Sequence, residues 1–364
     1  MKNIVIGVVA LLVIVGGVIA VDRMGGDILK RADRPDDVTI TALVGGEKIE
    51  FLRNEGILKI LDQRYGITLD ARKAGSIAMV TDKPAGDIDA LWPSNEVAAE
   101  IYNNRHGKPV ADELIFNSPI VMYTWKPIAE ALIQQGIVEK QDNVFYVVDT
   151  QAMIQLVLAK KDWKEIGVKA LWGKVAVQST NPAKSNSGNM FSGLIANMLS
   201  GGRVAGLQDV ATHGPTIQSF FKSLGHMEHS SGDIFRKYLD TGIGAKPIIV
   251  GYENQLVEFF IANERYRDLI RKEVITLYPQ PTIWASHPVI ALNTKGKRLI
   301  EALSDEEIQE IAWREHGFRS GLKDRLTDTS AVEIEGLPKT ITSVMPMPGA
   351  EAMEKIIKLI DPDA

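Results

Sequence analysis

The sequence predicts an α/β protein of two lobes behind an N-terminal transmembrane helix, and three observations predict it. Strand patterns alternate with helix patterns along most of the chain. Too many such units occur for one compact core of usual size. An uncharged apolar run precedes them all.

That run is IVIGVVALLVIVGGVIAV, residues 4 to 21, eighteen residues with no charge, which meets the length needed to cross a bilayer. A cleaved signal peptide has a shorter apolar core; VIA before Val21 has the small residues of a cleavage site, but the length favours a retained anchor over residues 1–21. Lys2 alone precedes the span while Arg23, Lys30, Arg31 and Arg34 follow it, a distribution that by itself favours a cytoplasmic body. Residues 22–36 mix charges with Gly and Pro and read as a linker.

The body starts near Val38. VTITALV is a β-branched run ending in GGEK, followed by the helical stripe Ile49, Phe51, Leu52, Ile57, Leu58 and Leu61. The unit recurs as ITLDARKAG before SIAMV, DIDALWPS before NEVAAEIYNNR, IVMYTW before KPIAEALIQQGI, and FYVVDT before QAMIQLVLAKK. GKVAVQST, KPIIVGYE, EVITLYP and HPVIALN continue the strands, residues 204 to 242 are mostly helical, and Met353, Ile356, Ile357 and Ile360 share one face of a terminal helix. The alternation argues for parallel sheets covered on both faces.

Composition narrows the function. The chain of 364 residues is 45% hydrophobic and 24% charged, able to bury real cores, and its net charge of -5 makes no electrostatic case for nucleic acid. With no cysteine there is no disulfide, zinc-thiolate site, thiol catalysis or lipid-modified cysteine. No G-x-S-x-G, phosphate loop or H-E-x-x-H is present. SFFK at 219 to 222 matches Ser-x-x-Lys, but its companion motifs are missing and its phenylalanines read as core. His226 and His229 in HMEH lack a third ligand at metal spacing, and His287 heads a buried-looking strand. No cofactor, metal or catalytic residue is assigned.

In open parallel sheets ligands sit beyond the carboxyl ends of strands, which places GGEK, WPSNE, STNPAKSNSGN and YENQ in one class of position. The third is the most informative. Pro182 stops a strand, Ser185 or Ser187 can cap the helix that follows, and the first N–H groups of a helix lack intrahelical partners and carry the positive end of its dipole. Hydroxyls of Thr180, Ser185 and Ser187, amides of Asn186 and Asn189, and the bare backbone of Gly188 would suit an oxyanion there. A merely well-capped helix has the same composition.

KVAVQSTNPAKSNSGNMFSGLIANML, SPIVMYTWKPIAEAL, IIVGYENQLVEF and YPQPTIWASHPVIAL, with HGF at 316 to 318, resemble the bacterial extracellular solute-binding proteins of the type II periplasmic-binding fold, closest to the molybdate, sulfate and phosphate receptors. The resemblance spans roughly residues 38 to 345 in ordered blocks. It implies two α/β lobes joined by crossover strands, matched here by SPIVMYTW and KPIIVGYE, with lobe I as 37–120 plus 250–364 and lobe II as 121–249. It implies ligand contacts from Gly45, Gly46, Glu47, Trp92, Ser94 and Ser118 on one side. From the other come Ser179, Thr180, Lys184, Ser185, Asn186, Ser187 and Gly188, with Tyr252 and Glu253 at the return crossing. Oxyanion receptors of this kind often place a hydroxyl just after their first strand, where this chain has Gly45 and Gly46; Glu47 and Glu253 would repel a fully ionised anion and suit a protonated one, or a ligand with an amine or hydroxyls.

The expectation is a membrane-tethered receptor, its body in the periplasm or outside the cell, capturing a small polar or inorganic anion for an ABC-type permease. The alternative is a ligand sensor or scaffold with a signalling partner; an enzyme on the same fold is the weaker reading.

Overall fold

A computed structural model describes residues 35–323 and 327–362. Ten strands are present: β1 (Val38–Val44), β2 (Ile67–Lys73), β3 (Ala90–Trp92), β4 (Ala111–Trp125), β5 (Val138–Gln141), β6 (Val144–Val147), β7 (Ile248–Tyr252), β8 (Val274–Pro279), β9 (Trp284–Ala291) and β10 (Arg319–Ser320). Their path runs β2-β1-β3-β9-β4-β8-β6-β5, with β7 and β10 also on β4. The sheets are mixed where the alternation argued for parallel ones: β1 is parallel to β2 and β3, and β6 to β8, but every pairing of β4 and of β9 is antiparallel.

β4 explains the two lobes. At about 3.3 Å per residue its 15 residues reach roughly 50 Å, far enough to run through both halves. Ala111–Pro119 pairs with β9, while Ile120–Trp125 pairs with β7 and β8. Around the first half Ile40, Val44, Phe51, Trp92 and Phe116 form one core, each unexposed. Around the second, Tyr123, Phe191, Phe220, Tyr238 and Leu277 belong to another. Local chemistry agrees: Asn54 caps the helix Glu55–Tyr65 through Gly56 N at 2.9 Å, and Gly66 ends it at φ 59, a left-handed turn that costs glycine nothing.

The division of the chain differs from the one drawn on the sequence. β7, which carries KPIIVGYE, lies inside the second sheet beside β4, and β8 follows it there; the chain returns to the first sheet only between Pro279 and Trp284. The helix Ala350–Ile360, placed with lobe I by position, packs on the helices Leu207–Ser223 and Asn186–Leu199 of the second half. Gln218 Nε2 donates to Leu359 O at 2.7 Å and Asn181 Nδ2 to Asp361 at 3.1 Å. An apolar stripe states that a helix has a buried face, not which lobe covers it.

Among the described residues no helix is long and apolar enough to cross a membrane; the anchor expected at 1–21 and the linker as far as residue 34 lie outside the described residues.

Candidate functional site

A cleft of about 870 Å³ opens between the halves. Gly45, Gly46, Glu47 and Lys73 line it from the first, Lys184, Ser185, Asn186 and Arg236 from the second, and Asn254 and Glu258 from the helix Glu253–Ala262 after β7. The helices Asn186–Leu199 and Ser231–Thr241 both begin at this cleft, so two positive dipole ends meet there.

Asn186 joins the two walls of the cleft. Asn186 Nδ2 donates to Ser94 O at 2.9 Å and to the Tyr252 hydroxyl at 3.0 Å, while Asn95 Nδ2 donates to Asn186 Oδ1. Ser187 meets Thr180 hydroxyl to hydroxyl at 2.7 Å, which fixes the helix start against the extended run that precedes it. Gly188 is required for that approach, because a Cβ would stand 2.2 Å from Thr180 O. We expect Gly188→Ala to cost about 1–3 kcal/mol by urea unfolding. Gly193→Ala, whose Cβ would meet the end of Met347 and Pro348 Cδ at 3.0 Å and no backbone, is expected to cost less.

Beneath Gly45 lies a buried charged cluster. Lys48, with no exposed surface, donates to Glu47 Oε1 and to Ser94 Oγ at 2.9 Å, and its remaining N–H has His287 Nδ1 at 3.1 Å and Pro93 O at 3.3 Å within reach. Ser94 Oγ also donates to Glu47 Oε1. Burial alone would raise the Glu47 carboxyl, but the Lys48 ammonium and the bonds from Lys48 and Ser94 outweigh it and hold it at about 2. Burial pushes Lys48 down against the pull of Glu47. Burial, then the Lys48 charge, drives His287 well below its usual range, so its Nδ1 accepts and its proton sits on Nε2. This accounts for the first of the two glycines after β1: a Cβ on Gly45 would stand 2.4 Å from Glu47 Oε1 and 2.5 Å from Ser94 Oγ.

Of the fifteen residues singled out on the sequence, Gly45, Gly46, Glu47, Lys184, Ser185 and Asn186 line the cleft. Ser94, Thr180, Ser187, Gly188 and Tyr252 are buried behind its wall, as the contacts above describe. Burial, with the charge of Glu47, keeps the Tyr252 phenol neutral. Trp92 stands in the first core, its ring 5.6 Å from Phe116 and its Nε1 donating to His287 O at 3.1 Å. Ser179 is buried with its hydroxyl unpartnered. Ser118 is buried at the crossing, donating to Asn254 Oδ1 and accepting from Asn254 N, each at 3.1 Å. Glu253 is closed off, accepting from Arg319 Nε at 2.6 Å, Arg319 Nη2 at 2.9 Å and Tyr278 OH at 2.6 Å.

Of the cleft residues that the sequence does not single out, three matter most. Asn254 is buried and its Nδ2 has no partner. Only its place in YENQ could have flagged it. Lys73 and Arg236 sit on a strand end and a helix with no motif around them. They and Lys184 make no ion pair among the described residues, whereas Glu50 has Arg53 at 2.9 Å, Glu258 faces His316 at 2.7 Å, and Glu315 accepts from Asn54 at 2.7 Å. With Lys48 and Arg53 counted, the formal surplus is a single positive charge; what distinguishes the cleft is that its carboxylates are met from within and three of its cations are not. Among the described residues no three His, Cys, Asp or Glu side chains are grouped to hold a metal ion.

This arrangement of two lobes, a long strand shared between them and a polar cleft is the type II periplasmic solute-binding fold. Iron-bound HitA from Pseudomonas aeruginosa matches with a TM-score of 0.55 at 11% identity, covering 89% of this chain and 99% of that one. The apo ferric ion-binding protein A of Pasteurella haemolytica gives 0.54 at 13%, covering 89% and 97%. The periplasmic binding protein P5PA gives 0.51 at 13%, covering 88% and 98%. No protein-family model and no curated protein sequence matches the chain. At these identities the likeness is one of fold.

Proposed function

We propose that this chain is a membrane-tethered receptor that captures an anionic solute, an oxyanion of carboxylate or phosphate type, between its lobes and presents it to an ABC-type permease. The observation that carries the reading is the trio Lys73, Lys184 and Arg236, lining one cleft from both walls without an internal counter-charge. Two helix starts at the same cleft favour the same sign. The neighbours of like fold are themselves binding proteins by name, which supports capture over chemistry. The apolar run at residues 4 to 21 supports the tether, and an extracytoplasmic body follows from that reading.

Thermal unfolding of the full-length chain against anions, amino acids and neutral sugars tests this. An anion at a hundred times its dissociation constant is expected to add about 2.7 kcal/mol of stability. Stabilisation by neutral sugars alone would defeat the anion reading, and turnover of a bound solute would replace capture with catalysis.

A further inference from the structure

Resting on that anion-capture reading, we infer that the solute is an organic dianion bearing a hydroxyl or ammonium group, and not a bare inorganic oxyanion. Size is the first argument. A tetrahedral oxyanion fills the space of roughly two or three waters, each about 30 Å³ in the liquid. The cleft is about 870 Å³ even with Asn186 already bonded across to Ser94, and such volumes suit organic ligands.

The second argument is where the donors stand. Unpaired cations occur on both walls, Lys73 on one and Lys184 and Arg236 on the other, with the Asn254 amide between them on the helix after β7. Asn254 is 1% exposed, and its Nδ2 is a buried donor that no protein group satisfies, although its Oδ1 and backbone N are both engaged by Ser118. An unfilled buried donor is costly, and an anionic oxygen is the partner that repays it best. Donors that come from both walls of one cleft can address two anionic groups.

The third is Glu47. Its Oε1 takes the bonds from Lys48 and Ser94, its Oε2 takes none among the described residues, and the residue lines the same cleft. A charged acceptor repels an ion made only of acceptors but bonds a ligand O–H or N–H. The Ser94 hydroxyl and Lys48 ammonium, which a small oxyanion would need, are already held by that carboxylate.

Calorimetric titration of the full-length chain with sulfate, phosphate, succinate, malate, phosphoglycolate and phosphoglycerate is the test. Malate or phosphoglycerate is expected to bind at least about tenfold tighter than succinate or phosphoglycolate, which lack the hydroxyl, and tighter than either inorganic ion. Sulfate or phosphate as the tightest ligand would overturn this inference while leaving anion capture standing; no binding by any anion would bring down both. Asn254→Asp keeps the Oδ1 acceptor for Ser118 but sets a carboxylate where the free donor was. It is expected to weaken the tightest organic anion more than about tenfold; a carboxylate so deeply buried also lowers the ligand-free melting temperature. Lys73→Met, at a cleft cation without an ion pair among the described residues, is therefore the companion variant, expected to weaken binding with a melting temperature near that of the parent. Undiminished binding in that variant, or in Lys73→Met, would also overturn the assignment.

Discussion

Arg319→Met is expected to remove about 3–5 kcal/mol of stability. Arg319 is 5% exposed and its guanidinium meets both oxygens of Glu253, at 2.6 and 2.9 Å, together with Pro338 O at 2.7 Å and Lys339 O at 3.2 Å. Glu253 has no exposed surface, so without the arginine its charge is stranded with only the Tyr278 hydroxyl for company. Arg319 sits on β10 in the first sheet, Glu253 opens the helix that follows β7 in the second, and Pro338 belongs to the tail that leads back to the terminal helix. The pair therefore ties three passages of chain at the junction of the lobes. The double variant Glu253→Gln with Arg319→Met removes both charges and is expected to be more stable than Arg319→Met alone, read as urea midpoints. A double variant less stable than either single one would mean that packing, not the stranded charge, sets the cost.

Glu47→Gln is expected to cost a similar 3–5 kcal/mol, because it leaves the fully buried Lys48 ammonium facing a neutral amide, Ser94 and a neutral His287. The same carboxylate predicts a pH dependence whose sign follows from its direction of shift. Its folded value is depressed from 4.5 to about 2, so the stability it contributes is fully present above about 4.5 and is lost as pH falls through that window to about 2. The amount is on the order of 3 kcal/mol, reduced by the opposing downward push on Lys48. Unfolding free energies between pH 5 and 2 should fall steeply in the parent chain and less steeply in Glu47→Gln. Parallel curves would show that Glu47 is not held as described.

Much of the fold was legible because it is periodic. The run VTITALV and the apolar face from Met190 to Leu199 are local facts, and β1 and the helix Asn186–Leu199 stand where those patterns put them. GKVAVQST, expected as a strand that Pro182 stops, is instead an extended run held by isolated bridges such as Gln178 to Ile249 and Thr180 to Glu228, because it finds no strand to pair with along its length. The lobe boundary was not legible. ADELIF at 111–116 continues β4 unbroken into SPIVMYTW, and only the partner strands show that one segment serves both sheets. The site divides in the same way. The polar stretch after GKVAVQST leads to the cleft, since glycine, serine and asparagine at a helix start mean the same thing in any context. Lys48 had no signal, because its partner His287 is 239 residues away and a lysine in a turn reads as solvated. Glu253 was taken for a ligand contact because nothing near it in sequence announces Arg319, 66 residues on.

Pulsed electron spin resonance between labels on the two lobes tests the central claim most directly. The chain contains no cysteine, so Lys59→Cys in the helix Glu55–Tyr65 and Asp233→Cys in the helix Ser231–Thr241 can be labelled without background. Saturating the cleft with the tightest anion of the panel is expected to shorten and narrow the distance distribution, and Lys184→Met to require more anion for the same change. An anion that binds, by calorimetry, while leaving the distribution unmoved would contradict capture between the lobes.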